Sequence, residues 1–187
     1  MSSPSPVPIG DPAVGRILVS QSEIADRVAE LGAQITADYS GRRPLIVGVL
    51  KGAVLFTADL CRAVRLPVEL DFMAVSSYGS STRTSGVVRI LKDLDVDVAG
   101  RDVILVEDIV DSGLTLSYLR RTLLARRPAS FEICSLLVRE AQTELDELVR
   151  YVGFKVPPEW VVGYGLDVAQ QHRNLPDIHA YDAGAAV

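Results

Sequence analysis

The sequence predicts an α/β fold: an open, mainly parallel sheet with helices on its faces. Three observations carry this. Short apolar runs recur along the chain, at residues 45–50, 103–106 and 131–138 among others, and suit strands covered on both sides. Stretches of helical spacing separate them, as strands joined by crossover helices require. The run 103–106 passes directly into a polar, glycine-containing turn and then a helix. That order puts the turn at the carboxyl end of the sheet, where open α/β folds bind ligands.

Taken in order, residues 1–12 are rich in Pro and Ser and are expected to be disordered or draped on the surface. Ile17-Leu18-Val19 predicts a short strand. Ser20 and Glu23 have the spacing of a capping box. Ile24, Val28, Leu31 and Ile35 recur on one helical face, so one amphipathic helix is expected over 22–39. A turn at 41–44 leads into the strand 45–50, which Lys51-Gly52 closes and a helix over 53–64 follows. A third strand is expected over 68–75. Residues 76–86, SSYGSSTRTSG, hold almost no apolar anchor; they read either as a long hairpin loop or as a lid. A strand resumes over 87–91, and 93–102 is an acidic, solvated turn. The helix after the central strand runs from Leu114 to about Ala125 and stops ahead of Pro128. A strand over 131–138, a polar connection over 141–150 and strand-like segments over 151–154 and 160–167 complete the chain.

With 187 residues, one domain with its own core is expected. A net charge of −5 without a basic run argues against nucleic acid as a partner. Cys61 and Cys134 lie in apolar segments without metal spacing and read as buried free thiols of a reducing, cytoplasmic compartment. No apolar run reaches membrane-spanning length, and no signal peptide is found.

The chemistry concentrates after the central strand. Glu107 and Asp108 come first, then Asp111, Ser112, Gly113 and Thr115. Gly113 permits a tight turn, and free N–H groups at the following helix start attract a phosphate. Ser112 and Thr115 add hydroxyl donors. Carboxylates repel phosphate but suit sugar hydroxyls or a hard divalent cation. The plainer alternative is an acidic turn such as receiver domains carry, though those place their acid pair near the N-terminus. Lys51-Gly52 can form an anion site at a strand end; from spacing alone, a solvated lysine in a tight turn reads better.

The stretch 103–115 resembles the 5-phosphoribosyl-1-pyrophosphate (PRPP) motif of the type I phosphoribosyltransferases: a hydrophobic strand, two acids, two apolar residues, Asp, Ser or Thr, Gly, any residue, Thr. It departs from that pattern nowhere. The resemblance implies that Ser112, Gly113, Leu114 (through its backbone) and Thr115 cradle the 5-phosphate, with Asp111 beside them at the phosphate and ribose. Glu107 and Asp108 then hold the ribose hydroxyls and Mg²⁺, and Asp111 serves as general base. Both acids can serve only if the strand ends there, since neighbours on a strand point apart. The resemblance also assigns Leu50, Lys51 and Gly52 to the pyrophosphate through a cis peptide, and Ser77-Tyr78 to a flexible lid.

The C-terminal run 152–167 looks like the hypoxanthine-guanine branch. There Trp160 would stack on the purine, Val161 would read its edge through the backbone, Asp167 would stand at the purine and help hold a second Mg²⁺, and Arg173 would reach pyrophosphate. Taken alone, these are a core or interface tryptophan, a loop-capping acid and a surface charge. Arg139 stands where the branch has Lys facing the purine 6-oxo group, Val168 replaces a Tyr, and Asn174 replaces an Asp. These departures bear on base preference. The resemblance further implies a small hood built from about 13–20 and 151–187, PRPP and a purine base as substrates, no membrane, and a homodimer or homotetramer. Two alternatives remain: the same transfer to xanthine or a pyrimidine, or an RNA-binding regulator of the same fold, which a clustered basic face would betray.

Overall fold

The computed structural model describes residues 11–77, 88–111, 113–140 and 148–184. Its main sheet has six strands: β2 (Leu45–Leu50), β3 (Glu69–Ser77), β4 (Val88–Lys92), β5 (Asp102–Val110), β6 (Ser130–Arg139) and β7 (Tyr151–Val156). Their order across the sheet is β4-β3-β2-β5-β6-β7. All neighbours run parallel except β4, the antiparallel edge. Among the described residues three helices flank the sheet: α1 (Gln21–Asp38), which leads into β2, and α2 (Val54–Ala63) and α3 (Leu114–Leu124), which join its strands.

The apolar pattern decides which face each helix covers. In α1, Ile24, Val28, Leu31 and Ile35 pack with Phe56 and Leu60 of α2 against Ile46, Ile104 and Val106. Leu116, Leu119 and Leu123 of α3 cover the opposite face, over Leu45, Val47 and Leu105. Alternate strand residues thus enter two different cores, and the central strands are buried twice over. The capping box at Ser20 and Glu23 forms as expected, with both reciprocal bonds present.

From β2 the chain crosses through α2 to β3 on one side. From β5 it crosses through α3 to β6 on the other. The direction of winding therefore reverses between β2 and β5, and the crevice beyond their carboxyl ends is the ligand position for a sheet of this kind.

A second, three-stranded sheet has the order β1-β9-β8, from β1 (Val14–Val19), β8 (Val161–Val162) and β9 (Ile178–Tyr181). It is the hood, but its membership differs from expectation. Residues 151–156 belong to the main sheet, because Tyr151 and Val156 are buried and β7 finds its partner in β6. Residues 163–167 are not strand: Gly163, Tyr164 and Gly165 have φ of 103°, 49° and 99°, which extended backbone cannot contain. Residues 11 and 12, expected to be disordered, form a turn in which Asp11 accepts from the Ala13 N–H at 2.9 Å. The connection over 141–147 and the first ten residues lie outside the described residues.

Candidate active site

The crevice at the winding reversal is a cleft of about 260 Å³ lined by Leu50 at the end of β2 and the Lys51-Gly52 turn after it, by Glu107 and Asp108 of β5, and by Asp111, Gly113 and Thr115 of the turn into α3 and its start. Asp167 and Arg173 reach it from the loop after β8. Most of the residues assigned from the sequence to phosphate, pyrophosphate and metal therefore share one wall-to-wall site. Ser112 and Tyr78 lie outside the described residues; Ser77 is the last residue of β3.

Each element contributes for a local reason. Gly113 caps α3 with φ 72°, a left-handed conformation that glycine adopts without steric cost. The first N–H groups of α3 then face the cleft without intrahelical partners. The Leu50–Lys51 peptide is cis, as the resemblance implies. Gly52 has no room for a side chain, since a Cβ would overlap Asp108 Oδ2. A Cβ on Gly165 would overlap the Gly52 carbonyl oxygen. Asp108, the Lys51-Gly52 turn and the 163–167 loop are thus stacked at backbone distance, and the absent side chains make the cleft possible.

The strand does not end before the acids, contrary to expectation; β5 runs to Val110. Both acids line the cleft all the same. The register with β6 holds through them, with Glu107 opposite Ser135 and Ile109 opposite Leu137, so the pair reaches the cleft from the carboxyl end of an unbroken strand.

Glu107 is only 6% exposed. Burial, and then the charge of Asp108, hold its carboxyl well above the usual range. Burial raises Asp108 as well, opposed by the Ile109 N–H it accepts at 2.8 Å. Two oxygen-rich carboxyls raised in this way are a donor set that a hard cation would relieve. Asp167, assigned to a second ion, lines the same cleft as this pair and its charge also raises Asp108; among the described residues no three acids, histidines or cysteines are grouped tightly enough to hold one metal by themselves. Asp167 is engaged by Arg173 at 2.7 Å and by the Gln170 N–H at 2.7 Å.

Arg173 also donates to the Gly165 carbonyl at 2.6 Å. Gln170, which sequence reasoning missed, accepts from both Lys51 and Arg173 at 3.3 Å. It ties together the two cations assigned to pyrophosphate. A glutamine in a loop carries no local signal of that position.

Of the residues assigned to the base, Asp167 lines the cleft, while Arg139, Trp160 and Val161 stand apart from its lining. Trp160 is 65% exposed and lines a separate depression with Arg16, Glu159 and Tyr181. Val161 is buried and pairs with Ala180. Among the described residues β8 is an edge strand of its sheet. Arg139 joins the two regions, with Nε 3.3 Å from Asp111 Oδ1.

A family model, the phosphoribosyl transferase domain, matches residues 17–169. The chain belongs to the phosphoribosyltransferase family. Its relatives identify the hypoxanthine-guanine branch. A hypoxanthine-guanine phosphoribosyltransferase of Mycobacterium tuberculosis is 52% identical, over 89% of this chain and 85% of that one. A hypoxanthine phosphoribosyltransferase of Salmonella typhimurium is 52% identical, over 86% of this chain and 91% of its own. Among solved structures, a hypoxanthine-guanine phosphoribosyltransferase of Bacillus anthracis superposes with a TM-score of 0.84 at 41% identity, covering 90% of this chain and 99% of that one. The parallel core flanked by helices is the type I phosphoribosyltransferase core. Among the described residues no helix is long and apolar enough to cross a membrane.

Proposed function

We propose that this phosphoribosyltransferase transfers 5-phosphoribose from PRPP to N9 of a 6-oxopurine, hypoxanthine or guanine. The products are the nucleoside monophosphate, IMP or GMP, and pyrophosphate, and the role is purine salvage. The observation that carries this is that one cleft is lined both by a helix start at 113–115, suited to an anion, and by the cationic turn at Lys51. A molecule with phosphate at one end and pyrophosphate at the other fits such a pair. The names of the relatives point the same way.

In this reading the N–H groups of 113–115 and the Thr115 hydroxyl grip the 5-phosphate. Lys51 and Arg173 face the leaving pyrophosphate, held in position by Gln170. The purine nitrogen forms a bond to C1 of the ribose as the bond from C1 to the pyrophosphate oxygen breaks. Asp111, 73% exposed at the rim, takes the ring proton as general base. Mg²⁺ fits the oxygen donors of Glu107 and Asp108, with Asp167 nearby, and would supply charge neutralisation of the pyrophosphate. A site with few protein ligands suits Mg²⁺, which keeps waters and substrate oxygens in its shell. Trp160 stacks on the base and Val161 reads its edge. The two free cysteines suit a cytoplasmic location, and a homodimer or homotetramer is the assembly that light scattering would test.

A panel of hypoxanthine, guanine, xanthine, adenine and uracil, each with PRPP and Mg²⁺, tests the assignment by ultraviolet absorbance. Turnover of hypoxanthine or guanine is expected. Turnover of xanthine or uracil alone would move the substrate, and turnover of none would remove the enzymatic reading.

A further inference from the structure

Arg139 makes more contacts than reading a base would need. Its Nη1 donates at 2.6 Å to the carbonyl oxygens of both Pro157 and Glu159. Its Nε faces Asp111 at 3.3 Å, and its side chain is only 12% exposed. The two carbonyls belong to the turn that leads into Trp160, and on its outer side Arg16 grips Glu159 through both carboxylate oxygens. One guanidinium therefore spans from the end of β5 to the turn before β8, two segments far apart in sequence.

We infer that Arg139 is a positioning residue, a clamp that fixes the Trp160 turn at a set distance from the Asp111 carboxylate. The inference rests on the phosphoribosyl transfer proposed above, in which Trp160 holds the base and Asp111 takes its proton. A planar fork can engage a carboxylate and two carbonyls at once because its N–H groups diverge at fixed angles. A lysine at 139 would bring one point of charge on a flexible stem and would leave part of this set unmade. The clamp thus gives a physical role to the arginine that stands where the branch has lysine.

The test uses R139Q and R139K in the full-length enzyme. R139Q is expected to raise KM for the purine about tenfold or more, the scale of losing hydrogen bonds to a charged group. It should also lower kcat, because Asp111 loses its tether, with KM for PRPP unchanged. The protein has one tryptophan, so fluorescence anisotropy reads the Trp160 turn without any turnover, and it should fall in R139Q. R139K should recover part of each loss. A loss of activity with unchanged Trp160 anisotropy would overturn the inference, since Arg139 would then act on the base alone. Full recovery by R139K of both kinetics and anisotropy would overturn it too. The anisotropy comparison stays decisive whichever base the enzyme accepts, so failure of the clamp and failure of the substrate assignment are separate results. Should R139Q fail to fold, R139K alone carries both readouts.

Discussion

Two residues make the sharpest claims about the cleft. Gly52 leaves no space for a Cβ against Asp108, so Gly52→Ala must displace either the acid or the Lys51 turn. A shift of about 1 Å in a positioning group costs on the order of 100-fold in rate. We expect kcat/KM to fall by about that factor, with circular dichroism unchanged; near-normal kcat/KM would show that the stacking of Gly52 on Asp108 is dispensable. Asp111→Asn removes the proposed proton acceptor while keeping shape. Turnover should fall about 100- to 10,000-fold, with PRPP affinity, read by calorimetry, nearly intact; undiminished turnover would take the base role from Asp111. At this scale the sequence spoke clearly where a contiguous motif exists, as over 103–115. It was silent on Gln170, whose role depends on a loop bringing it between Lys51 and Arg173.

Elements were legible where their signals are local. The capping box of α1 and the buried run of β2 lie in consecutive residues, and both form as read. What depends on distant pairing was not legible. β9 is four residues long and exists because β1 and β8 lie on either side of it. β7 joined the main sheet for the same reason, through β6. That β5 continues past Glu107-Asp108 to Val110 depends on its pairing with β6, which no pattern of residue types announces. β7 is also fastened to the end of α1, since the Tyr151 hydroxyl donates to Asp38 at 2.7 Å and Arg150 pairs with the same carboxylate at 2.9 Å. The Tyr151 hydrogen bond, with Arg150 and Arg42 nearby, holds the Asp38 carboxyl below its ordinary 3.8. A depressed carboxylate stabilises the fold fully above that value and progressively less as pH falls through the lower, folded one. Tyr151→Phe should therefore cost about 1 kcal/mol at neutral pH, the value of a partly exposed hydrogen bond. The gap to wild type should close on acidification below pH 3.8. Denaturant melts across pH check this, and a gap independent of pH would assign the loss to packing instead.

The molecule as a whole joins a twice-covered sheet, a reversal of winding between β2 and β5, and a hood that brings Asp167 and Arg173 down onto the strand ends. The proposed chemistry is coupled: pyrophosphate leaves as the purine arrives. Phosphorus NMR of the enzyme with PRPP and Mg²⁺, before and after addition of hypoxanthine, tests that most directly. The account predicts stable PRPP signals until the base is added, then equal growth of pyrophosphate and of one nucleoside monophosphate resonance. Release of pyrophosphate at the same rate without a base, or persistence of PRPP after hypoxanthine and guanine have both been supplied, would contradict it.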